Sequence, residues 1–302
     1  MEKTQESSMD MDTYIKGIVE MHPREDDPRE ARIVGIIRDA MLQEGWTKEA
    51  HAKANALQIQ GHREILASLG DAAKVRSIAQ RVLKEFASLF KAEIVEGKEF
   101  LAALPKDKPA FLFTNHFGTY KTFPIRAKAD LGVDIPQFDY FYPFFGYFGA
   151  LYPAAQAAGR DLSYASFQYP GKLDDSHRQA GFVHVPPRFV QNRTEYLDKQ
   201  VRTLMAEHPQ TFLVNFPEGK TTGKYSEGGP YSLEPFKTGG YVIAAEHGIP
   251  IVPIAQFFDP HRGFRLKIFE PYVLPEGDKA SYEARAHQDQ VMIQEWLDRQ
   301  KN

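Results

Sequence analysis

Phe111-Leu112-Phe113-Thr114-Asn115-His116-Phe117-Gly118-Thr119-Tyr120-Lys121 opens as an apolar, β-prone run and stops abruptly on two polar residues, Asn115 and His116. A second such run, Thr211 to Phe216, stops on Pro217-Glu218-Gly219-Lys220. Short apolar runs of this kind read as buried strands, and polar residues set at their ends face a common cleft. This pair carries most of the functional information in the chain.

Around it the pattern alternates. Ala110 to Thr114, Phe182 to Val185, Thr211 to Phe216 and Ile249 to Ala255 are predicted strands, with helices over about 145–158, 190–206 and 237–247, which defines the α/β class. Arg265 to Phe269 alternates like an edge strand, and Ala280 to Gln300 reads as a terminal helix with Val291, Ile293 and Trp296 on its apolar side. The residues before Lys108 read as helices. Asp27-Pro28 is a start signal, a capping side chain before a proline in the first turn, for a helix over 28–44 carrying Ile33, Ile37 and Met41. A more polar helix is predicted over 48–69. After Gly70-Asp71, Val75, Ile78, Val82, Phe86, Leu89 and Phe90 form one stripe. The division expected is thus a helical region at 1–107 and an α/β domain at 108–302.

Composition excludes several classes. The chain has 302 residues, 42% hydrophobic and 25% charged, enough for one sizeable core with a smaller appendage. A net charge of −3 and no basic tract give no electrostatic case for nucleic acid. Cysteine is absent, which removes disulfides, thiolate metal sites and cysteine nucleophiles. The segment Met1 to Glu20 lacks the apolar centre of a signal peptide, and no run approaches a membrane span, so a cytoplasmic protein is expected.

In these residues the chain resembles the glycerolipid acyltransferase family, typified by bacterial lysophosphatidic acid acyltransferase and the soluble glycerol-3-phosphate acyltransferases. The blocks occur in order: Asn115-His116 for the opening of H-x-x-x-x-D, Val185-Pro186-Pro187-Arg188 for the arginine block, Phe216-Pro217-Glu218-Gly219 for F-P-E-G-T-R, and Gly248-Ile249-Pro250-Ile251-Val252-Pro253-Ile254 for the V-P-I-V-P strand. Phe236-Lys237-Thr238-Gly239 also matches, and the resemblance spans roughly 108–275. It implies a central mixed sheet flanked by helices, with residues 159–181 an insertion relative to compact members and suited to lid the cleft. It also implies transfer of a fatty acyl group from acyl carrier protein or coenzyme A to a hydroxyl or amine, including a lysolipid acceptor. No resident cofactor or metal is implied, because the thioester is the donor substrate.

Such a transfer needs a base for the acceptor's proton and donors for the developing oxyanion. The resemblance makes His116 the base, with Glu218 as its catalytic companion. It assigns substrate contacts to Asn115, Arg188, Gly219, Lys220, Thr221 and Lys237. Lys121 departs from the pattern, since the family has an aspartate there that orients the imidazole. A carboxylate rebuilt from Glu218, Asp139 or Asp161 is the expected compensation. The family's Thr-Arg after Phe-Pro-Glu-Gly is Lys220-Thr221 here, so a bidentate fork for phosphate is replaced by a point charge. Arg188, with Arg193 nearby, is left to grip an anionic acceptor or the phosphopantetheine of the donor.

Other motifs are weaker. The Gly219-Lys220-Thr221 run is not a nucleotide loop, because the leading glycine would fall at Val214. His184, His247 and His261 read as structural or exposed residues. Phe138 to Phe148 holds eight aromatic residues, too many for one core face. Phe141, Phe144 and Phe145 are therefore expected to line an acyl groove or touch a bilayer surface. Two other functions stay open on these residues: a noncatalytic lipid or acyl-carrier binding protein on a degenerate transferase scaffold, and an acyl-thioester hydrolase in which His116 activates water.

Overall fold

A computed structural model of the chain describes residues 67–116, 143–167, 178–181, 183–185 and 193–301, apart from 221, 224, 227 and 260, with scattered positions between 53 and 65. The helix expected over 28–44 lies outside these residues, and helical positions recur between 53 and 67.

The first element, α1 (Ala72–Leu89), begins where Asp71 caps the Lys74 amide at 3.0 Å, and it buries Val75, Ile78, Val82 and Phe86 along the expected stripe. Then follow β1 (Glu93–Glu96), a 3-10 turn at Lys98–Ala103, β2 (Ala110–Thr114), α2 (Pro143–Ala158), β3 (Asp161–Phe167) and β4 (Val183–Val185). The chain continues as α3 (Arg193–Glu207), β5 (Thr211–Asn215), α4 (Gly239–Glu246), β6 (Ile251–Asp259), β7 (Gly263–Ile268) and α5 (Lys279–Gln300).

Among the described residues, seven strands form one mixed sheet in the order β1-β7-β6-β2-β5-β3-β4. From β6 to β4 all neighbours are parallel, and β7 runs antiparallel to β6. The central strand β2 is buried at every position, as a parallel strand covered on both faces must be. One face packs Leu112, Val214, Ile254 and Leu266 against α1 and α2. The other packs Phe111, Phe113 and Leu213 against residues of α3, α4 and α5. Helices α1 and α2 meet at Gly149, where an added Cβ would lie 2.6 Å from Phe86 Cβ, so only glycine permits that approach.

Two expectations are corrected. The stretch Arg265 to Phe269 is not an edge, because β1 pairs parallel with β7 outside it. Its alternation marks an amphipathic strand instead: Phe264, Leu266 and Ile268 are buried, while Arg265 and Lys267 form ion pairs with Glu93 and Glu96 of β1. Residues 159–181 are not wholly an insertion over the cleft, because Asp161–Phe167 is an interior strand between β5 and β4. Both α1 and β1 fall within 1–107 yet join the sheet and its core. In α5, Ile293 and Trp296 are fully buried but Val291 is 40% exposed.

The last helix is also tied to the centre by charge. Asp289, fully buried, accepts from the Tyr241 hydroxyl at 3.1 Å and the Tyr272 hydroxyl at 2.5 Å, and pairs with Arg285 at 2.8 Å. Burial pushes its carboxyl above the ordinary range. The Tyr241 ring in turn meets Phe113 of β2 edge-on, with centroids 4.7 Å apart.

Candidate active site

Parallel neighbours bring their carboxyl ends to the same edge of a sheet, and ligand clefts in open α/β sheets gather there. The register of β2 on β5 ends with Phe113 opposite Asn215, so the residues three positions further along each chain are His116 and Glu218. They meet: the His116 backbone N–H donates to Glu218 Oε1 at 3.2 Å. The half-buried His116 ring rests on Phe216, with centroids 4.3 Å apart and planes at 60°.

Glu218 is fully buried, and both of its oxygens are used. Oε1 accepts from His116 N and from the Thr222 hydroxyl, and Oε2 accepts from Glu234 N at 2.8 Å. Burial pushes its carboxyl up to about 7, against the downward pull of the Thr222 hydroxyl and the two amides, and the nearby Glu234 charge adds to the rise. Glu218, one of three candidates for a rebuilt carboxylate, thus has both oxygens engaged by donors other than the His116 ring. It grips the backbone at His116, because the tight turn after Phe216 points its side chain back beneath the end of β2. That turn needs Gly219, at φ 64°, and an added Cβ would lie 2.5 Å from Lys237 Nζ.

The other predicted site residues divide. Asn115 is not a substrate ligand in this arrangement: it is fully buried and its side chain is spent on Gln256 of β6. Lys220 pairs with the buried Glu234 at 3.3 Å and lies over the Tyr225 ring at 4.2 Å. Lys237 is exposed beside Gly219, with its amide donating to Pro217 O at 2.9 Å. Lys121, Asp139, Phe141, Arg188 and Thr221 lie outside the described residues, as do the side chains of Phe144, Phe145 and Arg193, whose backbones belong to α2 and α3. Asp161 begins β3, at the opposite end of the sheet from His116, where it lines a cavity of about 740 Å³ with Arg76, Ser77, Gln80, Arg178 and His208. It is not the rebuilt carboxylate.

Sequence reasoning missed Thr222, Glu234 and Gln256. Thr222 secures His116 from below, its amide donating to His116 O at 2.9 Å. Glu234 carries the network outward, accepting from Tyr225 N at 2.7 Å. Only the proximity of Thr222 to the Pro-Glu-Gly turn hinted at its part. The His247 side chain is 6% exposed, and its Nε2 lies 2.6 Å from Asp198 Oδ1. With Glu246 these two are the described residues able to present three ligand atoms to a metal, at the end of α4 remote from His116.

No family model matches the chain, and no curated protein matches it. Among solved structures, the crystal structure of the 1-acyl-sn-glycerophosphate (LPA) acyltransferase PlsC from Thermotoga maritima is similar at a TM-score of 0.42 and 16% identity, covering 76% of this chain and 83% of that one. A likeness that loose carries no argument about chemistry, which must come from the residues themselves.

Proposed function

We propose that the protein is an acyltransferase that moves a fatty acyl group from an acyl thioester, of acyl carrier protein or coenzyme A, to a hydroxyl or amine acceptor. The observation that supports this reading is the meeting of the His116 and Glu218 segments at the carboxyl ends of two parallel strands, where ligand sites of open α/β sheets gather. His116 takes the proton from the acceptor as its oxygen or nitrogen attacks the thioester carbonyl. The C–S bond then breaks, and the thiolate leaves as the thiol by taking the proton that His116 holds. Glu218, Thr222 and Glu234 hold the base in place and stay out of the proton transfer.

Lys237 and Lys220, on one rim with Gly219, are suited to an anionic group of donor or acceptor. No helix among the described residues is long and apolar enough to cross a membrane. Under this reading contact with lipid is peripheral, from the cytoplasmic side. The test is incubation with long-chain acyl coenzyme A or acyl carrier protein and a panel of alcohols, amines and lysolipids, with products resolved by mass spectrometry. Acylated acceptor supports transfer. Free acid alone identifies a hydrolase, and bound, unconverted thioester identifies a carrier-binding protein.

A further inference from the structure

The peptide unit between Asn115 and His116 is clamped at both ends by side chains, one from the turn after β5 and one from β6. Its N–H donates to Glu218 Oε1 at 3.2 Å, and its carbonyl accepts from Gln256 Nε2 at 2.9 Å. The ladder of β2 on β6 ends at Thr114 opposite Ile254, so Gln256 is the β6 residue two places beyond, level with His116. There the Asn115 side chain replaces backbone, its Nδ2 donating to Gln256 O at 3.0 Å and its Oδ1 accepting from Gln256 N at 2.8 Å. Both residues are fully buried.

On the acyltransferase reading given above, we propose that Gln256 is a positioning residue for His116, fixing the plane of the Asn115–His116 peptide and hence the direction in which the imidazole leaves the strand. The carboxamide does this at a cost to stability. Its Oε1 is buried with no hydrogen-bond partner among the described residues. Turning the amide over would set Oε1 against the Asn115 carbonyl, acceptor on acceptor, so the orphaned orientation is imposed by the strand end. Methionine, of similar length, would fill the same space and remove the orphaned Oε1, but it would take the donor from the buried Asn115 carbonyl, so the carboxamide is kept for its hold on that peptide.

The experiment compares the full chain with Gln256→Met, measuring kcat and KM for acyl transfer, the thermal midpoint, and the imidazole Cε1–H signal of His116, assigned through its loss in His116→Ala. The expected result is a kcat lower by roughly 10- to 100-fold with KM within about twofold, a thermal midpoint changed little because one orphaned acceptor is exchanged for another, and a displaced His116 signal. An unmoved ring signal, or a kcat within about twofold of the parent, overturns the inference. So does a lowered thermal midpoint with kcat per folded molecule preserved, which is what a purely structural residue gives. If the parent transfers no acyl group, the acyltransferase reading fails by itself, and the ring signal alone still decides whether Gln256 positions His116.

Discussion

Replacing Glu218 by glutamine isolates the electrostatics of the candidate site. In the folded protein burial raises this carboxyl from 4.5 to about 7. Between those values the folded state holds a proton that the unfolded chain has released, so the unfolded state binds fewer protons and stability falls as pH rises. One full proton of difference, held across one pH unit, corresponds to about 1.4 kcal/mol, which puts the loss between pH 5 and pH 8 at roughly 2–3 kcal/mol. Glutamine cannot titrate, so this loss disappears from the variant. It incurs a separate cost of about 1–3 kcal/mol at all pH values, because its NH₂ must face either the His116 or the Glu234 amide, donor against donor. Urea denaturation of both proteins at pH 5, 6, 7 and 8 reads the difference directly, since every other titrating group is common to the pair. Glu218→Gln is expected to be the less stable protein at pH 5 and to close the gap, or reverse it, by pH 8. A difference constant across that range would mean that the three donors offset burial. The same constancy would follow if they overwhelmed it, because a carboxyl at or below 4.5 in both states is already largely ionised at pH 5.

Thr222→Val removes one donor from Glu218 and leaves a fully buried site, so a loss of about 1–3 kcal/mol is expected, together with a rise in the pH at which Glu218 titrates; chemical denaturation across pH checks both. Asp289→Ala strips the partner from Arg285 and two tyrosine hydroxyls at once, and should cost about 3–5 kcal/mol, read as a lower urea midpoint at pH 7. Gly219→Ala forces a side chain into a left-handed position and against Lys237, so activity in the transfer assay should fall as the turn that seats Glu218 is displaced.

Besides the short β4 and the alternating β7, the strands legible in the sequence were β2, β5 and β6, where burial on both faces leaves an uninterrupted apolar run. Their ends marked the site, and the equal three-residue overhangs beyond Phe113 and Asn215 explain why His116 and Glu218 meet. The strand β1 was not legible: Glu93-Ile94-Val95-Glu96 is short, and its flanking acids read as solvated residues until β7 supplies Arg265 and Lys267 as partners. Asp161 looked like a candidate carboxylate because sequence does not say at which end of its strand a residue lies relative to the cleft. The clamp formed by Gln256 and Asn115 joins residues 141 positions apart, and no local spacing announces such a bond.

The central claim is that the His116 imidazole performs acyl transfer. Parent and His116→Ala, each given a long-chain acyl thioester with and without an acceptor, should differ in the rate of acylated product by on the order of 10²- to 10⁴-fold, with similar urea midpoints because a half-buried ring on Phe216 contributes little packing. Equal rates of acylated product from the two proteins would contradict the account.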